Sequence, residues 1–305
     1  MLAILELIIP IFLLIAAGVV LKLMKIADDT WVEVLNRYGL YIGFPSLIFL
    51  NLISLAPEDL TEKAAIFFIN AALLIVILLA ALGIALLLKL PQKVVNTVMI
   101  AAFFGNVAYL GYPVVTSVYP DKGPETTIII SIYSLILFSV GIFILEIRRH
   151  HRESMLEILT GIIRNPFIVA ILLGFLFLGF GWRMPGGIYS ALEMLSASAS
   201  PVVLVSLGIF LARKIPLRSI WRSALMLSAV RLFIVPALFF ALAAGTKSIG
   251  QYQVTVVEAA MPLAITPFAL SSMYPLDRPL IVTVIFLTTV SSLLTLPLWI
   301  MMLGV

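Results

Sequence analysis

Phe104-Gly105-Asn106-Val107-Ala108-Tyr109-Leu110-Gly111-Tyr112-Pro113 decides the reading of this chain. The stretch lies inside an otherwise apolar segment of membrane length, and its glycines, asparagine and proline prevent a helix from running smoothly through it. Adding 156 to residues 105–113 gives Met261-Pro262-Leu263-Ala264-Ile265-Thr266-Pro267-Phe268-Ala269, a second segment that two prolines interrupt. The same offset carries Pro10 onto Pro166, Gly18 onto Gly174 and Pro45 onto Pro201. The chain therefore reads as a tandem repeat with one broken helix per half, a pattern that secondary transporters use.

Composition points the same way. Of 305 residues, 63% are hydrophobic and 11% charged, whereas soluble domains are about 45–50% apolar and about 25% charged. The reading is an all-α integral membrane protein in the lipid bilayer. Spans of roughly 20 apolar residues fall near 2–24, 31–53, 63–88, 94–120, 125–147, 163–181, 187–212, 219–243, 250–274 and 279–303. Ten spans give five per repeat, over 1–147 and 163–305. An odd number makes the second repeat enter from the opposite side, so the expected fold is two inverted five-helix repeats, with helices 4 and 9 broken and crossing, in one membrane domain.

Lysine and arginine are distributed unevenly between the two sets of loops. Thirteen fall on one side, among them Lys22, Lys89, Arg148, Arg213 and Arg278, against Lys63, Lys122, Arg183 and Lys247 on the other. By the positive-inside bias, both termini are expected outside the cytoplasm of a cell membrane. The net charge of +4 is thus a matter of topology, and no nucleic-acid surface is read into it. The first span has no basic leader, carries Glu6 and is needed to complete the repeat, so it is expected to stay in the mature protein. With no cysteine, disulfides, thiolate metal sites and a cysteine nucleophile are excluded. His150 and His151 sit in a basic loop without accompanying carboxylates and read as solvated. Met155 to Ile163 after them has the spacing of a short interfacial helix.

Three charges fall inside spans, where each is costly. Arg37 is near enough to the start of span 2 to reach the interface as an anchor. At about 1.5 Å per residue, Arg231 and Glu258 reach similar depths in spans 8 and 9, with Asn106 at about the same level, so a salt bridge is within reach. Two readings stay open: a structural ion pair that neutralises itself, or a functional one. In the functional reading, Glu258 binds Na⁺ or H⁺ and Arg231 attracts an anion or tunes Glu258. Carbonyls freed by the break at Pro262 would help coordinate a cation, and half-helix N-termini would face a carboxylate. Ser196, Ser198 and Ser200 before Pro201 read either as the lining of a cavity or, as small residues in a membrane helix more often are, as packing residues. No histidine lies within a span, and no Ser/His/Asp or metal-ligand set can be assembled, so neither an enzyme nor a resident metal or cofactor is expected beyond a coupling ion.

Several runs resemble the auxin efflux carrier family, and in particular its plant PIN-type members. They are Leu35-Asn36-Arg37-Tyr38 with Pro45-Ser46-Leu47-Ile48-Phe49; Asn106 through Leu110-Gly111-Tyr112-Pro113; Ile163-Arg164-Asn165-Pro166; Ser206-Leu207-Gly208-Ile209-Phe210; Ala229-Val230-Arg231; Ala259-Ala260-Met261-Pro262; and Ile265-Thr266-Pro267-Phe268. The resemblance implies a scaffold of helices 1, 2, 6 and 7 and a moving transport domain of helices 3–5 and 8–10. It also implies a homodimer through the scaffold and a substrate site at the crossing of helices 4 and 9. The family's crossover asparagine and prolines carry over to Asn106, Pro113, Pro262 and Pro267. Tyr109, Gly111 and Thr266, on the same two breaks, complete the expected substrate site.

Two departures qualify the likeness. PIN-type carriers typically have glutamine where this chain has Glu258, so an ion-coupling carboxylate is possible here. Their long loop between spans 5 and 6 shrinks to about fifteen residues. The expectation is a secondary active transporter of a small carboxylate-bearing organic anion, auxin-like or a dicarboxylate. The expected mechanism is elevator-type alternating access, with H⁺ or Na⁺ coupling and uniport both open. The alternatives are a bile-acid-type sodium symporter of the same superfamily and a membrane sensor that binds its ligand without moving it.

Overall fold

The computed structural model describes residues 2–55, 57–148, 160, 163–213, 217–245 and 249–304. Among them every regular element is helical, and the one extended pairing is an isolated antiparallel bridge of Gly105 with Leu263. In chain order the helices are α1 (Leu2–Leu23), α2 (Asp29–Tyr38), α3 (Phe44–Ile53), α4 (Pro57–Leu87), α5 (Gln92–Phe103), α6 (Tyr112–Val118), α7 (Gly123–Ile136) and α8 (Ile142–Ile147). The second half has α9 (Pro166–Phe180), α10 (Gly186–Leu211), α11 (Leu217–Ala229), α12 (Val235–Gly245), α13 (Gln253–Ala259), α14 (Thr266–Leu270) and α15 (Arg278–Met302). Six stretches among the described residues are long and apolar enough to cross a membrane: Leu2–Leu23, Ile66–Leu87, Pro120–Ile147, Gly186–Leu211, Ile220–Gly245 and Arg278–Met302. Apolar residues on every face suit lipid, where each segment must satisfy its own backbone.

Helix ends follow local chemistry. Asp28 accepts from Thr30 N, Asn165 from Phe167 N just before Pro166, and Asp277 from Leu280 N, each filling a donor that the first turn leaves open. Gly181, at φ +63°, closes α9 in the left-handed conformation that glycine adopts without strain.

Four joints between successive helices are widened π turns, at Gly39–Gly43, Val107–Gly111, Leu137–Gly141 and Val230–Ile234. In three of them a proline stands two residues beyond the turn: Pro45, Pro113 and Pro236. A proline ring crowds the carbonyl of the preceding turn and offers no N–H, and the extra residue of a π turn relieves both problems. Nothing in the structure explains the fourth turn, which has no such proline. Pro201, the repeat partner of Pro45, lies within the unbroken α10, so the two prolines do not act alike.

Glycines bring α1, α2, α3, α9 and α10 together. A Cβ on Gly18 of α1 would stand 2.0 Å from the Val205 carbonyl oxygen, and one on Gly208 of α10 would stand 1.9 Å from that of Ile15. A Cβ on Gly43 would stand 2.9 Å from Ala199 of α10, and one on Gly174 of α9 would stand 2.8 Å from Leu52 of α3. Small residues let membrane helices approach backbone to backbone. Polar ties reinforce the packing: Tyr38 Oη with Ser198 Oγ at 2.5 Å, and Asn36 Nδ2 donating to Ser206 Oγ at 3.0 Å. At one end of this group Asp29 accepts from Lys22 at 2.7 Å and Arg213 at 3.2 Å. Ser198 is thus spent on a helix contact, while Ser200 Oγ is buried without a partner. Arg37 is exposed beside Glu33, 3.9 Å away, compatible with the expected anchoring. His150, His151 and nearly all of the helix expected up to Ile163 lie outside the described residues.

Candidate functional site

The two interrupted stretches meet. α5 ends at Phe103, Phe104 is extended, and the chain turns at Asn106 into the π turn that leads to α6. α13 ends at Ala259, and α14 restarts at Thr266. Backbone bonds tie the breaks to each other: Asn106 N donates to Pro262 O at 2.7 Å, and Ala264 N to Phe104 O at 3.4 Å. Leu263 N donates to Thr288 Oγ1 of α15 at 3.1 Å. The donors and acceptors that the breaks strand are thus met partly by the other break and partly by α15. Asn106 O also accepts from Leu110 N and Gly111 N, starting the next helical stretch.

Arg231, buried in the π turn after α11, binds both broken ends. Its Nε donates to Met261 O at 2.9 Å, and its Nη1 to Ala102 O and Phe103 O at 3.3 Å each. These carbonyls lie where α5 and α13 stop, the negative ends of two helix dipoles. The salt bridge with Glu258 that the depths allow does not form: no ion pair joins the two within 4.0 Å, and both Glu258 carboxyl oxygens are buried without a partner. The physical reason is competition. The breaks free carbonyls that attract a cation, as the sequence indicates, and the cation they hold is the guanidinium.

The glycines of the first break make room for these two side chains. A Cβ on Gly105 would lie 1.9 Å from Arg231 Nη2, and one on Gly111 would lie 2.1 Å from Glu258 Oε2. Neither glycine has a positive φ, so close approach, rather than backbone conformation, is what requires them. Arg231 Nη2, Asn106 Nδ2, Tyr133 Oη and Thr289 Oγ1 are likewise buried without hydrogen-bond partners. Such groups are rare in folded proteins and each asks for an explanation.

Beside the two breaks lies a narrow cleft of about 30 Å³. Its walls come from both breaks (Phe104 to Tyr109, Ala264, Thr266), from α7 and its π turn (Ser134, Phe138), from Leu40 and from Phe167. Tyr109 stacks on Phe44 at 4.7 Å between centroids, and Phe44 in turn meets Phe167 at 6.2 Å. Of the residues singled out from the sequence, Asn106, Tyr109 and Thr266 line the cleft. Gly111 seats Glu258 instead, Pro262 supplies a carbonyl to Asn106, and Pro113 and Pro267 start α6 and α14 away from the lining. Arg231 and Glu258 lie behind the breaks, both fully buried. Sequence reasoning did not find Ser134 and Phe138, although a serine one turn before an aromatic in an apolar span is a usable signal for a lined face. The lining carries no charged side chain, so the polar groups available to a bound molecule are amides and hydroxyls, with aromatic faces around them.

The membrane transport protein family matches residues 3–300 of this chain. An uncharacterized transporter of Methanocaldococcus jannaschii is similar at 25% identity over 308 residues, covering 96% of this chain and 97% of its own. An uncharacterized transporter of Methanothermobacter thermautotrophicus is similar at 29% identity over 306 residues, covering 96% of each.

Proposed function

The chain belongs to the auxin efflux carrier-like membrane transport protein family, is a multi-pass integral membrane protein and a transporter rather than an enzyme, and on that premise we propose that it carries a small carboxylate-bearing organic anion. The observation that supports this reading is the cleft at the two breaks, where Asn106 Nδ2 is an unused buried donor. A carboxylate accepting from Asn106 would complete that group, and the aromatic walls would take the substrate's apolar part.

The proposed architecture is ten passes in two inverted repeats, with helices 1, 2, 6 and 7 as scaffold and helices 3–5 and 8–10 as the moving domain. The dense glycine packing of α1, α2, α3, α9 and α10 supports a rigid scaffold, and elevator-type movement of the other group would expose the cleft alternately. A homodimer through the scaffold and extracytoplasmic termini belong to the same proposal. Glu258 is the proposed coupling site. The carbonyls freed at the breaks are engaged by Arg231 and a Na⁺ needs several oxygen ligands, so a proton is favoured over Na⁺.

The test is charge movement in proteoliposomes on rapid addition of indole-3-acetate, malonate or taurocholate, with and without Na⁺ and a pH gradient, for wild type and Glu258→Gln. A response in wild type that follows the proton gradient and is lost in the variant supports the coupling. A response indifferent to both ions removes Glu258 from it, and silence for all three anions refutes the substrate class.

A further inference from the structure

We infer that Tyr112 and Phe268 are a matched pair of gate residues that hold the cleft shut at opposite membrane faces, an inference that rests on the alternating-access reading above. They occupy the same place in the two repeats, since 112 and 268 differ by the offset of 156, and each is half-buried just past a break. Each also touches a helix outside its own broken pass. Asn51, near the end of α3, donates to Tyr112 Oη at 3.1 Å and to Thr127 Oγ1 of α7 at 2.8 Å. Phe268 meets Phe210, near the end of α10, edge to face at 4.8 Å. Arg213 and Arg278 place their guanidinium carbons 4.9 Å and 4.5 Å from its ring centroid.

The two contacts stand at opposite ends of the passes. Asn51, Tyr112 and Thr127 gather where passes 2 and 4 finish and pass 5 begins, while Phe210, Phe268 and Arg278 gather where passes 7 and 9 finish and pass 10 begins. Five passes separate the two sets, an odd number, so they belong to opposite faces. Each aromatic joins the proposed scaffold to the proposed moving domain, and each contact must break when that face opens. The chemistry differs: one hydroxyl takes one hydrogen bond at the first gate, whereas an aromatic ring and two cations form the second. The second is therefore the stronger closure, and Arg213 is itself anchored on Asp29.

The experiment uses the absence of native cysteines. Ser134→Cys and, separately, Thr266→Cys report cleft exposure to a membrane-impermeant maleimide in proteoliposomes whose orientation is read by proteolysis of a terminal tag. Phe268→Ala is expected to raise labelling from the face bearing Arg213 and Arg278 by about tenfold. Tyr112→Phe, and independently Asn51→Leu, are expected to raise it from the other face by about fivefold. Increases on the same face for both gates, or none at either reporter, overturn the inference. Labelling needs no substrate: shifted labelling without flux of any tested anion keeps the gates and refutes the substrate reading, and flux with unshifted labelling does the reverse.

Discussion

Glycine does opposite work in two parts of this molecule. Where α1 crosses α10, Gly18 and Gly208 bring backbone against backbone, and the atoms they admit are the carbonyls and α-carbons of the neighbouring helix. At the first break, Gly105 and Gly111 admit the guanidinium of Arg231 and the carboxyl of Glu258. The first contact is backbone against backbone, with no ionisable side chain among the nearest atoms. The second keeps two ionisable side chains and several unpaired polar atoms inside the membrane domain, which evolution tolerates where a site must bind something. The contrast separates glycines that hold the fold from glycines that hold the chemistry.

Substitutions test the contrast directly. Gly208→Val is expected to cost the most stability, over about 3 kcal/mol, because rigid backbone cannot yield to a side chain; thermal unfolding in detergent would show it, together with poor recovery of folded protein. Gly105→Ala should come next, at about 2–3 kcal/mol, as the guanidinium leaves carbonyls that then stay unbonded, and the same measurement ranks the two. Gly111→Ala should destabilise less, about 1–2 kcal/mol, since the carboxyl it displaces has no bond to lose. It should nevertheless abolish any dependence of flux on the coupling ion. If Gly111→Ala matched Gly208→Val in stability loss and left ion dependence intact, the distinction between the two crossings would fail.

The smallest effect belongs to the ends of the packed group. The Lys22 hydrogen bond, and then Arg213, hold the Asp29 carboxyl below its ordinary value of 3.8. Its contribution is therefore present above that value and lost as pH falls through the lowered one. The group is more than half exposed, so Asp29→Asn should cost under about 1 kcal/mol, measurable as a slight fall in unfolding temperature at neutral pH that vanishes in acid.

Much of this was legible in the sequence. Gly105, Asn106 and the two prolines at 262 and 267 placed both breaks, because several residues that disfavour a helix fall close together there, whereas single ones such as Gly18 and Pro201 stay within unbroken helices. The offset of 156 paired the breaks before any contact was known, and Asn106 N does bond to Pro262 O, its counterpart under that offset. The partner of Arg231 was not legible. Depth along two helices fixes height in the membrane but not rotation about the helix axes, and it cannot weigh a carboxylate against three backbone carbonyls. Ser134 and Phe138 had only the spacing of a serine one turn before an aromatic to mark them, and Phe167 had nothing, since in a span apolar on every side no periodicity marks the face that lines a cleft.

The most direct test of the account is flux of the transported anion through Asn106→Ala protein, measured beside its thermal unfolding. The Asn106 side-chain amide donates no bond within the protein, so the account predicts an unfolding temperature within about 2 °C of wild type and loss of substrate-dependent flux. Undiminished flux, or loss of flux only together with loss of the fold, would contradict the claim that the crossing of the two breaks is the substrate site.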